Sequence, residues 1–130
     1  MVSRTGDSLQ LVAIAVPDAT EVHPEAVFDV TLSLTNPTNS VEKFKIPDRA
    51  WDRMWKSSNR KVTWDAWNSD DSNEITVEIA PHDTYVFPDA LKMYVDESVK
   101  APRVDFRMGF RTSSLGKTFW SAPITLDVTP

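Results

Sequence analysis

The sequence predicts an all-β fold: an immunoglobulin-like antiparallel β-sandwich of about seven to eight strands. Three observations carry this expectation. Apolar residues recur with a period of two along nearly the whole chain. Turn signals separate these alternating runs, with nine prolines against three glycines, and a helical period is almost absent. The 130 residues are enough for one domain with a buried core and too few for two ordinary ones. The expected organisation is a flexible lead-in over 1–8 and a single immunoglobulin-like domain over 9–130.

Leu9 to Val16 is an apolar run in which Val12, Ile14 and Val16 share one face. Phe28, Val30, Leu32 and Leu34 alternate with Asp29, Thr31, Ser33 and Thr35, the clearest half-buried strand. It stops at the turn cluster Asn36-Pro37-Thr38-Asn39-Ser40. Phe44 and Ile46 form a short strand ending at Pro47. Further strands are expected at Val62–Ala66, Ile75–Ile79, Val104–Phe110 and Trp120–Val128. Another lies between Thr84 and Val95, where Pro88 demotes it to an edge piece or two short segments. The one helical candidate, a short helix or turn, is Asp48 to Trp55, with Asp48 as N-cap and Trp51 and Trp55 on one face. Trp64 is the candidate core tryptophan of a central strand.

Composition narrows the function. There are 14 basic and 19 acidic residues and a net charge of −5, which argues against a general nucleic-acid binder. No apolar run approaches the roughly 18 residues of a membrane-spanning helix, so no membrane insertion is expected. The lack of cysteine excludes disulfides, thiolate metal sites and cysteine catalysis. It leaves the compartment open: cytoplasmic, or, if a leader has been removed, bacterial envelope or secreted.

Catalytic chemistry needs a positioned base, nucleophile or metal, and the sequence offers little. His23 and His82 each sit beside a proline and read as turn residues. The acidic stretch Asp65, Asp70, Asp71 and Glu74 is rich in oxygen ligands but lacks the spacing and glycine of a calcium loop. It reads first as a turn, with a weak cation site as the alternative. Ser57, Ser58, Ser113 and Ser114 lie in no nucleophile elbow, and three glycines make no phosphate loop. No enzyme activity, catalytic residue, metal or cofactor is therefore expected. Arg103, Arg107 and Arg111 fall on one side of one strand, a solvated face or an anion-binding stripe.

Tryptophan is the unusual residue: there are five, four of them between positions 51 and 67. Trp51, Trp55 and Trp67, with Arg53 nearby, form either a satellite core cluster or an aromatic platform for a partner protein or a sugar.

Glu21 to Thr38 resembles the first hairpin of many bacterial immunoglobulin-like domains, in which an extended segment leads into an alternating strand ending in Asn-Pro/Thr. Ile79-Ala80-Pro81-His82-Asp83-Thr84-Tyr85 is similar to their L-x-P-G-E-x-Y turn, with His82-Asp83 in place of Gly-Glu. Both features occur in this order in the intracellular proteinase inhibitor family. The triplet Asn36, Pro37, Thr38 also resembles the first inhibitory loop of chagasin-type cysteine protease inhibitors, without their second and third loops. The resemblances imply an immunoglobulin-like fold and a protease-inhibitor role for Asn36–Ser40. The expected function is a non-catalytic binding or protein-interaction module. The alternatives are a protease inhibitor using the Asn36–Ser40 loop and a carbohydrate-binding module using exposed tryptophan. The expected partner is another protein, or a glycan.

Overall fold

The computed structural model describes residues 9–67, 73–112 and 117–130. The lead-in over 1–8, Asp70 and Asp71 of the acidic turn, and Ser113 and Ser114 lie outside the described residues. The fold is all-β, a sandwich of short and mostly antiparallel strands. Its strands are β1 (Val12–Pro17), β2 (Glu21–Val22), β3 (Phe28–Thr35), β4 (Glu42–Pro47), β5 (Trp55–Ser57), β6 (Val62–Trp64) and β7 (Glu74–Ile79). They continue with β8 (Thr84–Val86), β9 (Leu91–Val95), β10 (Arg103–Phe106), β11 (Met108–Phe110), β12 (Phe119–Trp120) and β13 (Ile124–Val128). The expected seven to eight runs thus resolve into thirteen pieces among the described residues.

One sheet has the order β1-β3-β9-β6, with β8 also on β3. A second is β10-β13-β2, a third is β12-β11-β5, and β4 pairs with β7. Among the described residues only β2 and β13 run parallel. Strand β1 packs beside β11 and β12, bringing the first and third sheets together. Strand β3 covers the predicted run residue for residue. Its inward Phe28, Val30, Leu32 and Leu34 meet Ala13 of β1 and Met93 of β9 in one buried cluster. Trp51, Trp55, Phe106, Phe110 and Leu126 belong to the same cluster.

The extra strand ends have local causes. Pro88 removes a ladder donor, and the chain leaves β3 between β8 and β9. Both segments still pair with β3, and β9 is internal rather than an edge. Residues 104–110 divide at Arg107, so β10 joins β13 and β11 joins β5 and β12. Arg103 lies in β10, Arg107 between the strands and Arg111 beyond the end of β11, so the expected single arginine stripe is split. The run from Trp120 to Val128 breaks at 121–123, around Pro123. The break flips the inward phase, from Phe119 in β12 to Leu126 and Val128 in β13. Trp120 consequently points outward, 40% exposed, rather than joining Leu126 inside. Val12, Ile14 and Val16 do share a face, and it is the outer one; Leu9, Leu11 and Ala13 are buried instead.

The helical expectation reduces to one 3-10 turn, Trp51–Met54. Asp48 does not cap it; Ala50 occupies that place without a side-chain bond, and Trp55 is already extended. Eight residues cannot sustain a helix when the next one is recruited into β5. Trp64 lies on the edge strand β6, half-buried, not on a central strand.

Candidate binding cleft

The four clustered tryptophans are organised from the inside. Trp51 and Trp55 are 2% and 3% exposed, so they are core residues and not an open platform. They do not stack on each other as a helix would have placed them. Trp51 packs on Phe87 with ring centroids 4.7 Å apart, and Trp55 on Phe87 at 5.5 Å and Phe110 at 5.2 Å. Phe87, from the Pro88 interruption, is the hub. Trp67 meets Trp51 edge to face at 4.7 Å and 87°.

Asp52 ties the turn to the chain after β6. Its buried Oδ2 accepts the Trp64 indole N–H and the Trp67 backbone N–H, each at 3.1 Å. Its Oδ1 is buried with no hydrogen-bond partner among the described residues. The two bonds explain how Trp64 and Trp67, three apart, are both recruited: the strand ends at Trp64 and the chain bends to deliver Trp67.

Trp67 and the edge of Trp51 form one wall of a cleft of about 580 Å³. Asp48, Arg49 and Asp89 are exposed charges on its rim. The cleft is also lined by the exposed ion pair of Lys92 Nζ with Asp29 Oδ1 at 3.1 Å. A volume of this size accepts a few side chains or a small ligand. Carboxylates and a guanidinium around an aromatic wall offer acceptors, donors and an apolar surface together.

The cleft opens onto a longer surface. Asp29, Thr31, Ser33 and Thr35 alternate on the outer face of β3. Register places Val16 beside Thr31, Ile14 beside Ser33 and Val12 beside Thr35. On the other side Val86 lies beside Ser33 and Thr84 beside Thr35. Apart from Asp29 these positions carry no charge, and Val12, Ile14, Val16 and Val86 are exposed around the buried Ser33. Of this surface, only Trp51 and Trp67 stood out as site residues in the sequence. Asp29, Lys92 and Asp89 give no local signal, because topology alone brings them to the tryptophans.

Arg53 is exposed, and it lies in another hollow rather than in this cleft. The remaining site candidates, Asn36, Pro37 and Thr38, are elsewhere. Asn36 is fully buried: its Nδ2 donates to the carbonyls of Ser40 (2.7 Å) and Ile79 (2.9 Å), and its Oδ1 accepts from Thr38 N (2.9 Å). Its amide is consumed holding its own loop, so it is not available to a partner. Pro37, Asn39 and Ser40 are exposed, with Thr38 half-buried and its hydroxyl 2.7 Å from Asn36 Oδ1. His82 closes the same end, with Nε2 2.8 Å from Asn39 Oδ1 and a backbone φ of 63°, the conformation glycine favours. His23 Nδ1 lies 3.0 Å from the Thr129 carbonyl. Glu74 is exposed at the start of β7, and no group of three or more metal-ligating side chains occurs among the described residues.

Burial raises the Tyr85 phenol, and the Asp48 carboxylate raises it further. Tyr94 is raised chiefly by the charge of Asp65, whose Oδ1 accepts its hydroxyl at 3.3 Å. No helix among the described residues is long and apolar enough to cross a membrane. No family model, curated protein or solved structure matches the chain.

Proposed function

We propose that this chain is a non-catalytic protein-interaction module that receives a polypeptide segment in the Trp51–Trp67 cleft. The observation that carries the reading is the cleft: an aromatic wall, rim charges of both signs and a depth a flat sheet lacks. A peptide supplies N–H groups to Asp48 and Asp89 and carbonyls to Arg49. The outer face of β1, β3 and β8, uncharged apart from Asp29, supports a protein rather than a sugar, since exposed Val12, Ile14, Val16 and Val86 gain by covering and offer a glycan few hydrogen bonds. A sandwich with loops at its ends is a common rigid carrier of such surfaces. A glycan is the second reading, favoured by the half-buried Trp67 ring beside the rim carboxylates.

Peptide display against the immobilised chain tests the proposal, with Asp89→Lys and Arg49→Glu as counter-selections. Enriched peptides should lose binding at least about tenfold on either variant. Peptides that bind both variants as well as the parent refute it. Silence with peptides and a cleft-dependent signal on a glycan array transfers the site to the second reading.

A further inference from the structure

The outer face of the sheet β12-β11-β5 shares no residue with the cleft and carries the one exposed tryptophan of the five. Register sets Lys56 of β5, Gly109 of β11 and Trp120 of β12 side by side. Met108 and Phe110 are fully buried, so Arg107, Gly109 and Arg111, which alternate with them, turn outward. Gly109 has no side chain, and the benzo edge of the Trp120 ring fills its place: Cε3 and Cζ3 lie 2.8 and 2.9 Å from where a Cβ would stand. The Lys56 ammonium rests over the same ring, 5.3 Å from its centroid. The indole is thus seated on the sheet while 40% of the residue stays open to solvent. A ring held in this way loses little freedom when a ligand stacks on it.

The side chains flanking the ring along β11 are cationic. Arg107 and Arg111 are exposed, with Gly109 midway between them, and stand about 13 Å apart by strand rise. The Arg107 backbone N–H donates to Ser58 Oγ at 2.7 Å and the Arg111 backbone N–H to the Met54 carbonyl at 2.9 Å, so both arginines also flank Lys56 from the neighbouring strand. Among the described residues neither guanidinium nor the Lys56 ammonium enters an ion pair; those pairs join Lys43 to Glu78, Lys92 to Asp29 and Arg103 to Asp127. Asp105, two residues before Arg107, has its Oδ1 engaged by the Thr125 hydroxyl at 2.6 Å. The face therefore presents three cationic donor groups around one aromatic surface, in a chain whose net charge is −5.

We infer that this face is a binding site for an acidic polysaccharide, one whose sugar rings carry carboxylates. The flat C–H side of a pyranose ring covers an exposed indole, and its carboxylate accepts from guanidinium and ammonium groups. Arginines on either side of the ring match a polymer with charge on successive sugars, where a single small anion reaches only one of them. A polynucleotide fits less well, because single-strand sites offer several stacking rings and an excess of basic residues. The site stands whether or not the cleft takes a peptide.

The test titrates the isotope-labelled full chain with tetragalacturonate at constant ionic strength. Its methyl ester keeps the sugar rings without the charge, and tetraglutamate keeps the charge without the rings. The Trp120 indole and Gly109 amide resonances should move and saturate with tetragalacturonate, and the other two probes should bind at least about tenfold more weakly. Trp120→Ala and Lys56→Gln, both at exposed positions, should each weaken the Gly109 response at least about tenfold, and Asp89→Lys, in the cleft, should leave it unchanged. An unmoved Trp120 resonance, or a response that survives both variants, overturns the site. Methyl ester binding as tightly as the acid refutes the role of the cations. Tetraglutamate binding as tightly as the sugar overturns the glycan assignment and makes the face a charged surface for acidic protein segments.

Discussion

The indole N–H of Trp64 donates to Asp52 Oδ2 at 3.1 Å, and this bond joins edge strand β6 to the turn that carries Trp51. The same oxygen holds the Trp67 backbone, so one buried carboxylate fixes the aromatic wall of the cleft. Asp52→Ala should lower stability by about 2–3 kcal/mol, because two donors lose their acceptor. Asp52→Asn keeps an acceptor oxygen and should cost about 1 kcal/mol. Urea unfolding of both variants measures the difference, and Asp52→Ala should also red-shift Trp67 emission.

Asn36 anchors its loop to the β7 end through the carbonyl of Ile79. Asn36→Ala should cost about 3 kcal/mol, while Pro37→Ala and Asn39→Ala on the exposed tip should stay within about 1 kcal/mol. Thermal unfolding distinguishes them. The same tip variants decide the inhibitor reading: a panel of cysteine and serine proteases should be unaffected by the parent chain. Inhibition abolished by Pro37→Ala would revive the loop as a site.

Gly109 stands between Lys56 and Trp120 in register, and it clears the space the Trp120 ring occupies. A Cβ there would lie 2.8 Å from Trp120 Cε3 and 2.6 Å from Thr118 Cγ2. Gly109→Ala should therefore displace the ring, cost about 1–2 kcal/mol and increase iodide quenching. Trp120→Ala in the same chain should recover part of the loss, which a double-mutant cycle in urea would read.

Both tyrosines are held above their ordinary ionisation range, Tyr85 by burial and then Asp48, and Tyr94 by Asp65 first. The folded state thus favours the neutral phenol. That stability is fully present below the unfolded tyrosine value and is lost as pH rises through the folded one. Absorbance titration should show both phenols ionising above free tyrosine. Tyr85→Phe should remove one of the two transitions and flatten the alkaline fall in stability.

His82 adopts a positive φ, the backbone conformation that glycine favours. His82→Gly should stabilise by about 0.5–1 kcal/mol, with relief of the left-handed strain outweighing the exposed bond to Asn39 and the added chain entropy. Thermal midpoints of the two proteins check the sign.

The strands were legible where alternation was uninterrupted: β3 and β7 read directly, and Pro88 announced the gap between β8 and β9. The phase flip at 121–123 was not legible, since a period of two survives a slip while its inward side changes. That is why alternation counted from Trp120 puts it on the same side as Leu126, whereas the structure exposes it. The Trp51–Trp55 spacing signals a shared environment without saying whether it is wet, and Phe87, the ring that buries both, lies more than thirty residues away. Asn36 carried a double meaning, because the amide that suits a recognition loop also suits the lock that holds one. The cleft needed topology, since Asp29 of β3 and Lys92 of β9 reach its lining from distant parts of the chain.

The most direct test of the interaction proposal is amide and indole chemical-shift mapping of the labelled chain with a display-selected peptide. The account predicts saturable shifts at the Trp67 indole and at the amides of Asp29, Thr31 and Asp89, with the Trp55 indole unmoved. Shifts confined to Pro37–Ser40, or to the β4–β7 face around Lys43 and Glu78, would contradict it and place recognition elsewhere.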